Sequence, residues 1–159
     1  MKIMVVDDEQ VALRTLERLL RRRGLGRCVQ CDSGSSALEA LNRQQMDVVL
    51  LDLIMPDMNG LAVLEQAKPA HPGTEFIITT AQDDIRLAVK AIQLGAYDYL
   101  VKPLDPERLV LAIERAYEKV SMRTGLEAAG GEVAEAFSHI LTCSRLMREQ
   151  LAYAAALAR

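Results

Sequence analysis

Short apolar runs alternate with amphipathic stretches along the chain. Ile3, Met4, Val5 and Val6 form one such run, which stops at Asp7 and Asp8. Residues 11–20 show helical spacing and are closed by Gly24 and Gly26. Residues 28–31 read as a weak strand, and residues 35–44, with Ala37, Leu38 and Leu41, as a helix. A buried-looking strand over 47–51 ends at Asp52, and Met55 to Gly60 is loop chemistry. Residues 61–67 predict a short helix broken by Pro69, Pro72 and Gly73. Residues 76–79 read as a strand. A helix then starts at Asp83, with Leu87, Ala88, Ala91, Ile92 and Leu94 as its apolar positions and Gly95 as its stop. A fifth strand over 97–101 ends at Lys102 and Pro103. Asp105 caps the last helix, Pro106 fits its first turn, and the pattern runs on through Leu109, Ala112, Ile113, Ala116, Tyr117 and Val120.

Five strands alternating with five helices predict an α/β fold, a doubly wound five-stranded parallel sheet covered on both faces. Ligands of such sheets bind beyond the carboxyl ends of the strands. Those ends carry Asp7 and Asp8, then Asp52, Thr80 and Lys102. Three carboxylates, a hydroxyl and an ammonium are thereby delivered to one crevice. Like-charged pairs at roughly 5 Å repel by about 3 kcal/mol at an effective dielectric of ~20. A raised pKa or a bound cation relieves that repulsion, and an all-oxygen acidic site suits Mg²⁺. The competing reading is local: Asp7 or Asp8 caps the first helix and Asp52 orders its loop.

Composition narrows the function classes. With 19 Lys+Arg against 22 Asp+Glu the net charge is −3, which offers no basic footprint for nucleic acid. Arg21, Arg22 and Arg23 form a basic cluster at a helix end, where cations suit the dipole. No stretch reaches membrane-spanning length, and the N-terminus lacks a secretory core. Three cysteines, an odd number, argue against disulfides and for a reducing, cytoplasmic setting. Cys28 and Cys31 have redox-motif spacing, but on a strand they face opposite sides and read as small buried hydrophobes.

A carboxylate, a hydroxyl, an ammonium and Mg²⁺ together fit phosphoryl transfer, with the central Asp52 as the acceptor. The chain resembles the receiver domains of two-component response regulators. The resemblance rests on Val5-Val6-Asp7-Asp8-Glu9, Leu51-Asp52-Leu53-Ile54-Met55-Pro56, Asn59-Gly60, Thr80-Ala81, Gly95-Ala96-Tyr97-Asp98-Tyr99-Leu100 and Lys102-Pro103. It covers residues 1–122 and implies the flavodoxin-like strand order 2-1-3-4-5. It further implies that Asp52 is the phosphoacceptor and that Asp8, Asp52 and the Ile54 backbone carbonyl hold Mg²⁺, with Asp7 acting through metal-bound water. Lys102 would pair with the phosphoryl group, Thr80 would swing toward it, and Tyr99 would move inward behind it. A cis bond before Pro103 is implied as well.

The partners implied are a sensor histidine kinase and a second copy of the chain. Dimerisation would use the face between the fourth and fifth helices or the helical extension. Leu109, Ile113, Ala116 or Tyr117, and Val120 form a stripe for a partner helix, while packing on the chain's own sheet explains Leu109 to Ala116 and leaves Tyr117 and Val120 over. Residues 123–136, with Gly125, Gly130 and Gly131, read as a linker. Residues 137–159 read as a helical segment similar to the start of the AAA+ domain of sigma-54-dependent, NtrC-type activators. Contacts with DNA and sigma-54 RNA polymerase would then require domains this chain does not contain. The expected function is a phosphorylation-activated switch, not an enzyme beyond its own phosphotransfer and autodephosphorylation. The alternatives are a stand-alone receiver and a Mg²⁺-dependent aspartyl-phosphate phosphatase. The phosphatase would want a second Asp where Ile54 stands. A flavin or dinucleotide site is disfavoured because Asp7 and Asp8 occupy the place of an anion-binding loop.

Overall fold

The computed structural model describes residues 1–26 and 28–128. Among them lie five strands: β1 (Ile3–Val6), β2 (Cys28–Cys31), β3 (Val48–Asp52), β4 (Glu75–Thr80) and β5 (Asp98–Val101). Five helices connect and follow them: α1 (Gln10–Arg22), α2 (Gly34–Arg43), α3 (Gly60–Ala70), α4 (Ile85–Gln93) and α5 (Pro106–Ala128). The strands pair in parallel in the order β2-β1-β3-β4-β5. The expected doubly wound sheet and its strand order are therefore both observed. Residues Met1–Val120 form one compact unit.

Strand alternation builds two apolar layers. Ile3, Val5, Val48, Leu50, Ile77 and Leu100 pack with Leu13, Leu16 and Leu20 of α1 and with Leu109 and Ile113 of α5. Met4, Val6, Val49, Leu51, Phe76 and Ile78 pack with α2, α3 and α4 through Ala37, Leu41, Leu64, Ala67 and Ala91. Burial on both faces makes β1, β3 up to Leu51 and the 76–78 stretch of β4 continuous apolar runs, which is why they are legible in the sequence. Cys28 joins the first layer and Cys31 the second, as expected for residues three apart on a strand.

Three local expectations need correction. Pro69 does not end α3, which runs to Ala70. The residue removes one helical donor near the C-terminus, and the chain closes behind it with the His71 N–H on the Ala67 carbonyl at 2.8 Å. Gly125 does not break α5 either, since the helix continues to Ala128. A single glycine costs a helix about 1 kcal/mol relative to alanine, and the flanking Lys119, Met122, Arg123 and Leu126 are good helix formers. Finally, Leu109, Ile113, Ala116 and Val120 are all buried. The own-sheet reading of Leu109 to Ala116 therefore extends to Val120, and the buried stripe is not open to a partner helix. The remaining linker, residues 129–136, and the helical segment over 137–159 lie outside the described residues.

At the end of the sheet away from the strand carboxyl termini, β4 opens on a buried carboxylate that the sequence reading misses. Glu75 is 1 % exposed and meets Lys119 Nζ at 3.0 Å and Lys68 Nζ at 3.5 Å. The Lys119 ammonium also lies 5.5 Å from the Tyr97 ring centre. A carboxylate this dry persists only when paired. The strand read from the sequence begins at Phe76 and leaves Glu75 outside it; Lys68 comes from the preceding α3 and Lys119 from the distant α5.

Candidate functional site

Parallel registry sets the strand ends level with one another. Val6 pairs with Leu51, Asp52 with Thr79, and Thr80 with Val101. Asp7 therefore follows β1 directly, Asp52 and Thr80 close β3 and β4, and Lys102 follows β5. Backbone bonds fix each end. The Asp7 N–H donates to the Cys31 carbonyl at 3.1 Å, the Leu53 N–H to Thr79 at 2.9 Å, and the Lys102 N–H to Thr80 at 2.7 Å. By alternation Asp7, Asp52 and Lys102 continue the series of Val5, Leu50 and Leu100 on one side of the sheet. The peptide bond between Lys102 and Pro103 is cis, as the resemblance implies.

The side chains converge accordingly. Lys102 Nζ donates to Asp7 Oδ2 at 2.8 Å and lies 3.3 Å from Asp52 Oδ1. One carboxylate oxygen each from Asp7, Asp8 and Asp52 falls within 4.8 Å of the others. Asp7 and Asp52 are buried, at 1 % and 5 % exposure, while Asp8 opens to solvent. The local capping reading holds only in part. Asp7 Oδ1 does accept the Glu9 N–H at 2.9 Å, but the N-cap of α1 is Glu9, without a side-chain bond. Its other oxygen is committed to Lys102.

Three carboxylates against one ammonium leave two formal negative charges. The possible ligands in this group are carboxylate oxygens, and Asp8 among them is exposed, giving an ion a route in. This donor set fits a hard divalent cation that keeps part of its water shell, which is the behaviour of Mg²⁺. Ile54 lies two residues beyond Asp52 in the β3–α3 loop, with its side chain 47 % exposed.

Thr80 and Tyr99 form a second group, joined through the backbone of Gln82. The Thr80 hydroxyl accepts the Gln82 N–H at 3.0 Å, and the Tyr99 hydroxyl donates to the Gln82 carbonyl at 2.9 Å. Thr80 is fully buried, and the Tyr99 ring packs partly buried against the layer of α2, α3 and α4. Gln82 is the residue that sequence reasoning did not place in this group. Its position two residues after a strand-terminal threonine is the signal for a hydroxyl-closed turn.

Gly60 is held by contact with the site. Its N–H donates to the Leu53 carbonyl at 2.9 Å, and a methyl group there would collide with the Asp52 carbonyl oxygen. Asn59 caps the helix that begins at Gly60 by accepting the Leu61 N–H at 2.8 Å. Gly60→Ala is expected to cost about 1–3 kcal/mol in a denaturant melt, because Asp52 backbone and not a flexible side chain must give way. A variant as stable as the parent would refute that packing.

Burial, reinforced by the Asp7 charge, lifts the Asp52 carboxyl above the ordinary carboxylate range, with Lys102 acting against it. Burial alone would lower the Lys102 amine, but its bond to Asp7 and the charges of Asp52 and Asp7 outweigh that and raise it. A carboxyl raised in the native state binds its proton more tightly there than in the unfolded chain. Its ionisation therefore costs stability as pH climbs from the unfolded to the folded pKa. Asp52→Asn should melt above the parent at neutral pH without divalent ions. The gap should close as the pH falls below the folded pKa toward the ordinary carboxylate value. Thermal melts across that range check it, and a gap indifferent to pH would contradict the assignment.

A family profile described as the response regulator receiver domain matches residues 3–114. The chain is 46 % identical over 114 residues to the DNA-binding transcriptional regulator NtrC of Escherichia coli (strain K12), covering 72 % of this chain and 24 % of the relative. It is 40 % identical over 132 residues to the alginate biosynthesis transcriptional regulatory protein AlgB of Pseudomonas putida, covering 83 % and 29 %. It thus spans about a quarter of the length of these curated relatives. Among solved structures, NtrX from Brucella abortus superposes with a TM-score of 0.74 at 32 % identity, covering 80 % of this chain and 29 % of that one. A receiver domain protein from Clostridium thermocellum gives 0.72 at 31 % identity, covering 76 % and 97 %. The BeF3-activated receiver domain of DrrB gives 0.67 at 32 %, covering 74 % and 97 %.

Proposed function

The chain belongs to the response regulator receiver domain family, and from that premise we propose that it is a phosphorylation-driven switch in which Asp52 takes a phosphoryl group from the phosphohistidine of a sensor kinase. The observation that carries this reading is the meeting of Asp7, Asp8 and Asp52 around the Lys102 ammonium. A carboxylate oxygen of Asp52 attacks phosphorus, a P–O bond forms, the donor's P–N bond breaks, and the electron pair leaves on the imidazole nitrogen, which takes a proton from solvent. Lys102, already within reach of Asp52, neutralises charge on the transferring oxygens. Asp8, Asp52 and the Ile54 carbonyl would hold Mg²⁺, with Asp7 acting through its water. When bound, the ion supplies Lewis-acid charge neutralisation at the phosphoryl oxygens.

The new phosphoryl group then offers acceptor oxygens to the Thr80 O–H and draws the hydroxyl from the position in which it accepts the Gln82 N–H. A change at Thr80 reaches Tyr99 because both engage the same Gln82 peptide. Phosphorylation shifts the equilibrium only as far as its contacts differ between the two states. The output is control of a larger transcriptional regulator of the NtrC type, whose DNA and sigma-54 polymerase contacts belong to other domains. Catalysis is limited to the chain's own phosphotransfer and autodephosphorylation. Self-association would use the exposed Ile85 and Leu111 on α4 and α5.

Among the described residues no helix is long and apolar enough to cross a membrane. The decisive test is incubation with a small phosphodonor, with and without Mg²⁺, followed by mass measurement and peptide mapping. One phosphoryl adduct on the Asp52 peptide, formed only with the divalent ion, is expected. An adduct elsewhere, or equal labelling in chelator, would overturn the reading.

A further inference from the structure

The loop between β3 and α3, residues 53–59, carries Ile54 two residues beyond Asp52 and is fixed unevenly. Its base is secured by Leu53, whose N–H binds the Thr79 carbonyl and whose carbonyl takes the Gly60 N–H. Met55 is buried in the layer of α2, α3 and α4. The crest, Pro56 and Asp57, is exposed. An exposed aspartate at a turn is ordinarily solvated, but Asp57 is not spent that way. Its Oδ1 accepts the Gly34 N–H at 3.2 Å, and its Oδ2 accepts both the Ser35 N–H and the Ser35 hydroxyl at 3.0 Å.

These donors belong to the first turn of α2, 22 and 23 residues away in sequence. They are among the amides that a helix start leaves without partners, and a carboxylate suits that end of the dipole. The helix already has its own cap, since Ser33 takes the Ser36 N–H. Asp57 is therefore an added tie between α2 and the loop.

Packing tightens the same junction. A methyl group on Gly34 would stand 2.7 Å from Val63 Cγ2 and 2.9 Å from Met58 Cβ, so the start of α2 lies directly on the loop and on α3. The hydrogen bonds from Ser35 and Gly34 also hold the Asp57 carboxyl below the ordinary range, so the tie is made by the ionised form.

We propose that Asp57 is a positioning residue for the divalent-ion site, clamping the loop that carries Ile54 to the rigid start of α2. The proposal rests on the Mg²⁺-dependent reading above, because Ile54 matters there through its backbone carbonyl. Its test is calorimetric titration of Mg²⁺ into the parent, Asp57→Ala and Asp57→Asn, with a thermal melt of each. Asp57→Ala should bind Mg²⁺ about three- to ten-fold more weakly, the scale of lost supporting contacts around a metal. Asp57→Asn keeps one acceptor oxygen and should fall between alanine and the parent. Saturating Mg²⁺ should restore labelling of Asp52 in both.

A variant that melts lower yet binds Mg²⁺ with parental affinity would reduce Asp57 to a helix cap and overturn the proposal. Should the alanine variant fail to fold, parental Mg²⁺ affinity in Asp57→Asn is the overturning result. A parent that binds no Mg²⁺ would instead sink the underlying reading, which keeps the two failures apart.

Discussion

Asp52→Asn should lose phosphoryl uptake from a small donor by about two orders of magnitude or more, the scale seen when a nucleophile is removed. The amide presents no ionised oxygen to phosphorus, while its size and shape leave the strand end intact. The neighbours do not substitute for it. One oxygen of Asp7 takes the Glu9 N–H and the other takes Lys102, and Asp8 sits at the solvent edge. Because Asp52 is 5 % exposed and its charge is disfavoured by burial, the variant should also be more stable than the parent at neutral pH. Lost labelling in a protein that melts higher cannot be ascribed to misfolding. Parental labelling of the variant would refute the acceptor assignment.

Lys102→Met should carry the next largest effect. Its ammonium is shared by Asp7 at 2.8 Å and Asp52 at 3.3 Å, and both carboxylates are buried. Methionine approximates the length of the stem and removes the charge. Two buried carboxylates would then face each other without it. Breaking a buried pair costs about 3–5 kcal/mol, and the partial exposure of Lys102 lowers the expectation to about 2–3 kcal/mol. Labelling should fall about 10²–10³-fold, as when one stabilising donor is removed from a transition state. A divalent ion would replace part of the missing charge. The stability gap between parent and variant should therefore narrow in Mg²⁺, which paired melts with and without the ion would show. A gap unaffected by Mg²⁺ would mean that the ion and the lysine do not share a site.

The sequence carried most of this because parallel sheets write their registry plainly. β1, β3 and β4 are buried on both faces, so their apolar runs stop at or within two residues of the strand ends, and the polar residues there are the candidate site residues. Asp7, Asp8, Asp52, Thr80 and Lys102 could be assembled from that rule before any contact was known. What stayed hidden depends on partners remote in the chain. Asp57 reads as a turn residue until α2 is seen to supply its donors from 22 residues away. Glu75 stands just outside the strand read over 76–79 until Lys119 of the distant α5 is brought over it beside the nearby Lys68. The Leu109 to Val120 stripe was ambiguous for a related reason. An apolar face on a terminal helix looks the same whether it covers its own sheet or a neighbour's. The helices run through Pro69 and Gly125 because local propensity yields where packing or neighbouring residues hold the helix.

The account stands on the three carboxylates acting as one cation site, and a calorimetric titration of Mg²⁺ into the parent, Asp8→Ala and Asp52→Asn tests that directly. One ion per chain is expected for the parent, with affinity about tenfold lower or worse in each variant. No binding by the parent, or equal binding by all three proteins, would contradict it.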